Sequence, residues 1–331
     1  MLGSSKAYIE IVMGTYNGAK YVRPQVESLL AQTYQDWHLI IGDDQSIDET
    51  AIVLQELQEK YPDKITLFLF KNGMGIAQNF SRLLELTNAE YVMFCDQDDF
   101  WFPEKIAKTF LKLQELENKW GKETPLLVHT DMKIVGEQLN VLSTSHWKRQ
   151  KFNPKRGGKL NATLMQNVSW GCTMMFNSSL VQLATPIPPE GFVHDFWLVI
   201  VASAFGKVDY LDEPTMLYRQ HDTNVVGSTE INFRWFINNV LKDPHYQPKI
   251  ELRIMKCMVR AYAIYKRYEA LLTGQQKELL EAFIDLKYQP LWKELYLRWK
   301  YDFLNHGFWP NVAFLLVTIR MGLGDPRYRL L

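Results

Sequence analysis

Four short apolar runs, each ending in polar turn residues, pace the first hundred residues. They are "YIEIVMGTYNG", "WHLIIGDDQS", "KITLFLFKN" and "EYVMFCDQDD". Between them lie stretches with helical signals: "RPQVESLLAQTY", with Pro24 tolerated near its first turn; "ETAIVLQELQEKY", opened by a capping box at Ser46–Glu49; and "GIAQNFSRLLELT". Near-continuous apolar strands are what a sheet covered on both faces requires. Strand–helix–strand alternation implies right-handed βαβ units, hence an α/β fold around a mostly parallel sheet.

In such sheets ligands bind beyond the carboxyl ends of the strands. Those ends here read "TYN" (15–17), "DD" (43–44), "KNG" (71–73) and "DQDD" (96–99), so polar groups converge on one edge. Three carboxylates in four positions repel unless a positive charge sits among them. A D-x-D turn can supply oxygen ligands to a hard divalent cation, Mg²⁺ or Mn²⁺, which keeps positions open for substrate phosphates. A helix cap competes as an explanation, since "DDFWFPEK" resembles a helix start and Asp99 suits a cap, but a cap accounts for one aspartate, not three.

Later segments are mixed. "STSHWKRQKFNPKRGGK" is expected to be a mobile loop, "VSWGCTMMFN" and "KVDYLDEPTMLYRQH" to be strands, and "DFWLVIVASAFG" a helix. From about residue 232 the chain reads as helix after helix.

Four segments together resemble family-two glycosyltransferases with the GT-A fold: "MGTYNGAKYVRPQVESLLAQTY", "LIIGDDQSIDET", "CDQDDFWFPEK" and "HDFW…YRQH". The resemblance covers roughly residues 8–228. More narrowly, "DQDDFW", "WGCTMMFN", "HDFW" and "YLDEPTMLYRQHDTNVVG" are similar to bacterial rhamnosyltransferases of rhamnose-rich cell-wall polysaccharides. The resemblance implies an inverting, metal-dependent transferase moving L-rhamnose from dTDP-β-L-rhamnose to a lipid-linked glycan. It implies Asp98 and His221 as metal ligands, with Asp96 nearer the ribose or sugar. Asp43 or Asp44 would read the base, with Thr15 and Tyr16 lining its pocket and Asn79 helping to hold the nucleotide. Arg219 would pair with the diphosphate, and Trp170 and Gly171 would lie under the donor sugar. Asp195 would be the general base, at a position that also suits a helix cap.

Alternatives are a transferase using a UDP-linked hexose or N-acetylhexosamine, and a non-catalytic glycan-binding protein on the same fold. The latter should have lost the base or metal residues, yet Asp98, Asp195 and His221 are all present. A nucleotidyltransferase would carry a Gly-rich, Lys-bearing phosphate loop after the first strand, and a dehydrogenase a G-x-G-x-x-G there; neither occurs.

Charge divides the chain. Overall, 37 Lys and Arg balance 37 Asp and Glu, so no bias toward nucleic acid exists. Residues 231–331, however, hold 16 basic against 9 acidic side chains, and residues 1–230 hold 21 against 28. The expected organisation is a catalytic domain over 1–230 and a helical region over 231–331, the latter meeting a membrane surface or a second copy in a homodimer. The N-terminus has no signal-peptide pattern, and the apolar tract 308–319 is too short to cross a bilayer. Cys95, Cys172 and Cys257 show no metal-ligand spacing and read as buried free thiols. A cytoplasmic protein, peripheral at the inner membrane face, is the expectation.

Overall fold

The computed structural model describes residues 7–188, 193–221, 230–243 and 246–324. The "DTNVVG" part of the rhamnosyltransferase-like segment, residues 222–227, lies outside them. Contacts divide the chain into two compact units, residues 1–146 with 169–228, and residues 147–168 with 229–331.

The first unit is a nine-stranded mixed sheet flanked by helices. In chain order it holds β1 (Ile9–Thr15), α1 (Ala19–Leu30), β2 (Trp37–Asp43), α2 (Thr50–Lys60), β3 (Ile65–Leu69), α3 (Ile76–Leu84) and β4 (Tyr91–Cys95). Then come β5 (Phe100–Trp101), α4 (Lys105–Trp120), β6 (Leu126–Val135) and β7 (Val141–Ser143). The second unit contributes α5 (His146–Gln150, whose first residue belongs to the first unit), α6 (Pro154–Gly157) and α7 (Leu160–Met165). The chain then returns through β8 (Met174–Asn177), α8 (Ser178–Ala184), α9 (His194–Phe205) and β9 (Lys207–Arg219). The rest of the second unit is α10 (Phe233–Phe236), α11 (Tyr246–Tyr268), α12 (Gly274–Ile284), α13 (Leu291–Tyr301) and α14 (Phe308–Gly324).

Sheet order is β3-β2-β1-β4-β8-β6-β9-β5, with β7 on β6. β1 to β4 pair in parallel, as the βαβ rhythm requires; β8 then runs antiparallel to β4 and β6, while β6 and β9 pair in parallel. Alternate residues explain the continuous apolar runs. Ile9, Ile11, Met13, Met93 and Cys95 pack in one core with Val22, Val26 and Leu29 of α1 and with Ile106, Phe110 and Leu113 of α4. Phe94, pointing the other way, meets the rings of Phe80, Phe176 and His194.

Local expectations are corrected in four places. Pro24 lies inside α1, which starts four residues earlier than the sequence reading placed it. Ser46 does not cap α2; it donates its N–H and hydroxyl to Asp43, and the Asp48 carboxylate accepts from Thr50 N instead. Asp99 caps nothing, because β5 intervenes before α4, whose cap position is Glu104. The polar stretch 143–159 is not an open loop; it contains α5 and α6, the latter capped by the Asn153 side chain accepting from Lys155 N at 3.1 Å.

Candidate active site

Strand order brings Thr15, Asp43 and the 96–99 turn to one edge of the first unit, because β1 lies between β2 and β4. Thr15 Oγ1 donates to Asp43 Oδ1 at 2.9 Å, and the same carboxylate accepts from Ser46 N and Oγ at 2.9 and 2.6 Å. Asp44 turns away from that group. It accepts from Met74 N (3.0 Å), Gly75 N (2.7 Å) and Arg82 (2.6 Å), tying down the loop after β3. Asn79 is buried and braces the same corner, donating to Gly42 O at 2.8 Å and accepting from Arg82 Nε at 3.1 Å. Asp44 and Asn79 thus do wall-building work not foreseen in the sequence. Tyr16 leaves its ring exposed, while its main chain exchanges two 3.0 Å hydrogen bonds with the Gln97 amide.

The 96–99 turn carries the densest charge. Asp98 Oδ2 meets His221 Nε2 at 2.8 Å, and the imidazole stacks on Tyr21 with centroids 4.6 Å apart and planes 15° apart. Arg219, two residues before His221, donates its Nε to Asp98 O at 3.0 Å and an Nη to Glu137 O at 2.9 Å. Its guanidinium therefore binds main chain in the turn, and it lies over Tyr21 at 5.2 Å. The Glu137 carboxylate in turn accepts from Tyr21 Oη at 3.1 Å and pairs with Lys20.

Deeper in, one ligand atom each from Asp96, Asp99 and Cys172 lie within 4.8 Å of one another. Asp99 is 1% exposed and its Oδ2 is buried with no partner. Burial, then the charges of Asp98 and Asp96, push its pKa well above the carboxylate range. Asp96 is pushed up to about 7 by desolvation, then by Asp98 and Asp195. Lys105 is buried beside this group, donating to Thr215 Oγ1 at 3.1 Å, and burial lowers its pKa to about 8. A carboxylate crowd with an orphaned buried oxygen fits a divalent cation. The Asp98–His221 pair and the Asp96 and Asp99 oxygens suit a hard ion; the Cys172 thiol, softer and protonated by burial, does not.

Asp195 is the second residue of α9, not its cap. Its Oδ2 accepts from Gly171 N at 3.0 Å, and its charge reaches Asp96. A Cβ at Gly171 would be a tight fit, 3.0 Å from His194 Nε2 and 3.4 Å from the Asp195 Cβ. His194 is clamped between Phe80 (centroids 3.9 Å, stacked) and Phe94, and burial holds it neutral, lowering its pKa to about 3. Trp170 packs edge-on against His146 and Tyr218. The structure therefore gathers Asp96, Asp98, Asp195, Arg219 and His221, and adds Tyr21, Asp99, Glu137 and Cys172, none of which sequence reasoning selected as a site residue. For Cys172 and Asp99 a signal existed, their adjacency to "SWG" and "DQD"; for Tyr21 and Glu137 none did.

A glycosyltransferase-type α/β sheet with acidic groups at its strand ends defines the class. The sequence pattern of Glycosyl transferase family 2 matches residues 10–180, and the chain belongs to that family. It is 29% identical over 235 residues to the dTDP-rhamnosyl transferase RfbG of Shigella flexneri, covering 67% of this chain and 75% of that protein. Its fold is similar to S. aureus TarS 1–349, solved with UDP-GlcNAc (TM-score 0.53, 15% identity, 96% of this chain and 92% of that one). It is similar also to the mannosyltransferase PcManGT of Pyrobaculum calidifontis, solved with GDP-Man and Mn²⁺ (TM-score 0.52, 15% identity, 98% and 89% covered). At that identity these two structures establish the GT-A fold alone.

Proposed function

We propose that this glycosyltransferase is inverting and metal-dependent, and moves L-rhamnose from dTDP-β-L-rhamnose to a lipid-linked polysaccharide acceptor. The observation that carries the reading is the Asp195 carboxylate, held by Gly171 N and near the Asp96–Asp98 turn. The likeness to a dTDP-rhamnosyl transferase supports the donor.

In this reading Thr15, Tyr16 and Asp43 form the base pocket, with Asp44 and Asn79 bracing its wall. Asp98 and His221, with Asp96 alongside, hold Mg²⁺ or Mn²⁺, which when bound offsets the charge gathering on the leaving diphosphate. Arg219 adds positive charge at the same turn. Trp170 and Gly171 underlie the donor sugar. Asp195 accepts the proton of the acceptor hydroxyl as that oxygen attacks the anomeric carbon, the bond to the diphosphate breaks, and the β-linked donor yields an α-linked product.

The first unit would carry donor and acceptor sites. The second would meet the inner face of the cell membrane, where a lipid-linked glycan is extended. No helix among the described residues is long and apolar enough to cross a membrane. The test is a donor screen: purified protein, a panel of dTDP-, UDP- and GDP-linked sugars, a synthetic lipid-linked acceptor and product mass. Transfer from dTDP-rhamnose is expected; transfer only from a UDP-sugar would replace the donor.

A further inference from the structure

Helix α13 keeps its ion pair inside and its aromatics outside. Glu294 and Arg298 are buried and joined at 2.5 Å, with the guanidinium 4.2 Å over the Phe314 ring. On the opposite face Trp292 is 71% exposed, Tyr296 50%, Trp299 78% and Leu295 37%. At about 100° per residue, these four fall within one arc of about 100°, and Lys293 and Lys300 lie along one border of it. An ordinary surface helix has the reverse arrangement. Two tryptophans held in water on a packed helix forgo burial energy, so a contiguous stripe of this kind marks a contact surface.

We propose that this stripe docks the protein on an anionic lipid bilayer, with α13 lying in the interface plane. Three observations select that occupant. Trp and Tyr carry an apolar body and a polar tip, which suits the headgroup level. The bordering charge includes the exposed Lys293, while Lys300 on the same border pairs with Glu278 at 2.9 Å, in a region with 16 basic and 9 acidic side chains. Anionic headgroups complement Lys293. Finally, 11 residues extend only about 16 Å as a helix, enough to lie along a bilayer surface and not to cross it. The inference rests on the lipid-linked acceptor reading for its purpose, and on this helix for its evidence.

The test is co-sedimentation of the full chain with phosphatidylcholine vesicles of graded phosphatidylglycerol content, at low and physiological salt. Binding should rise with anionic lipid and fall with salt, because exposed charge is screened over about 8 Å at physiological ionic strength. Lys293→Gln should weaken binding by about fivefold. Trp292→Ala with Trp299→Ala should remove the salt-resistant part, a loss on the order of tenfold or more. Both variants alter exposed positions, so thermal unfolding and transfer to a short water-soluble acceptor should be unchanged. Three outcomes overturn the proposal: no wild-type binding at any composition, tryptophan variants that bind like wild type, or a dimer that the tryptophan variants dissociate in place of vesicle binding. Vesicle binding that persists where the donor screen finds no transfer would overturn the proposed donor and acceptor and leave the docking surface standing.

Discussion

Asp98 Oδ2 and His221 Nε2 lie 2.8 Å apart although 123 positions separate them in the chain. One sits in the turn after β4 and the other follows β9, and the β5–β9 pairing, Phe100 with Leu217, brings the two ends together. His221 is held flat by Tyr21, and Tyr21 by Glu137. Partners that orient a ligand in this way typically tune metal affinity tenfold to a hundredfold.

In the proposed reading the Asp98–His221 pair holds the metal ion. Asp98→Ala should abolish transfer, and excess chelator should inhibit the wild-type enzyme until Mn²⁺ or Mg²⁺ is restored. Tyr21→Leu should weaken Mn²⁺ binding by about tenfold or more, while Tyr21→Phe, which keeps the stack, should bind near wild type. Calorimetric titration with Mn²⁺ measures both. Undiminished activity in chelator would end the metal assignment.

Asp195→Asn keeps the side chain's shape and its acceptor for Gly171 N, and removes its capacity to take a proton. The variant should fold and bind nucleotide, with turnover reduced on the order of 10²-fold or more. Steady-state kinetics with saturating donor reads this directly. Near-normal turnover would place the base elsewhere.

The sheet and the acidic turn were legible because both depend on local patterns: apolar runs bounded by turn residues, and carboxylates crowded at a strand end. Most of what escaped depends on contacts far along the chain. Glu137 matters only because the turn between β6 and β7 reaches the start of α1, and nothing in "VGEQLN" announces that. Ser46 had the pattern of a capping box, but Asp43 captured its hydroxyl at 2.6 Å. Asp99 looked like a cap until the Phe100–Trp101 strand, paired with β9, pulled it into the interior. The polar stretch around Asn153 is helical because it packs within the second unit, where His306 accepts from Asn153 N.

Gly206 joins α9 to β9 where the chain passes against Pro125. A Cβ there would lie 1.7 Å from the Pro125 carbonyl oxygen and 2.7 Å from its carbon. Backbone cannot yield as a flexible side chain can, so Gly206→Ala should cost about 3 kcal/mol or more. Gly274, the first residue of α12, has open space around it, and Gly274→Ala should be neutral or stabilise by up to about 1 kcal/mol. Urea unfolding of the two variants side by side tests the contrast; equal midpoints would show that the Gly206 contact relaxes.

His306 makes stability of the second unit depend on pH. The residue is buried, its Nδ1 accepts from Asn153 N at 3.0 Å, and its main-chain N donates to Gln166 Oε1 at 2.9 Å. Burial first, then the charges of Arg156 and Arg253, lower its pKa from 6.5 to about 4. Protonated Nδ1 would point a hydrogen at the Asn153 N–H, so the fold requires the neutral ring. The unfolded chain therefore binds more protons than the folded one between the two values. Stability is complete above about pH 6.5, falls as the pH drops toward about 4, and gains no further slope from this residue below that. Between about pH 7.5 and about pH 5 the loss from this one group is about 2 kcal/mol. His306→Asn offers an amide oxygen to Asn153 N and has no proton to take up in this range. Its urea midpoint at pH 7.5 should be at or below wild type, but its decline on going to pH 5 should be smaller by that amount. Parallel declines in the two proteins would show that the buried imidazole is not the acid-sensitive element.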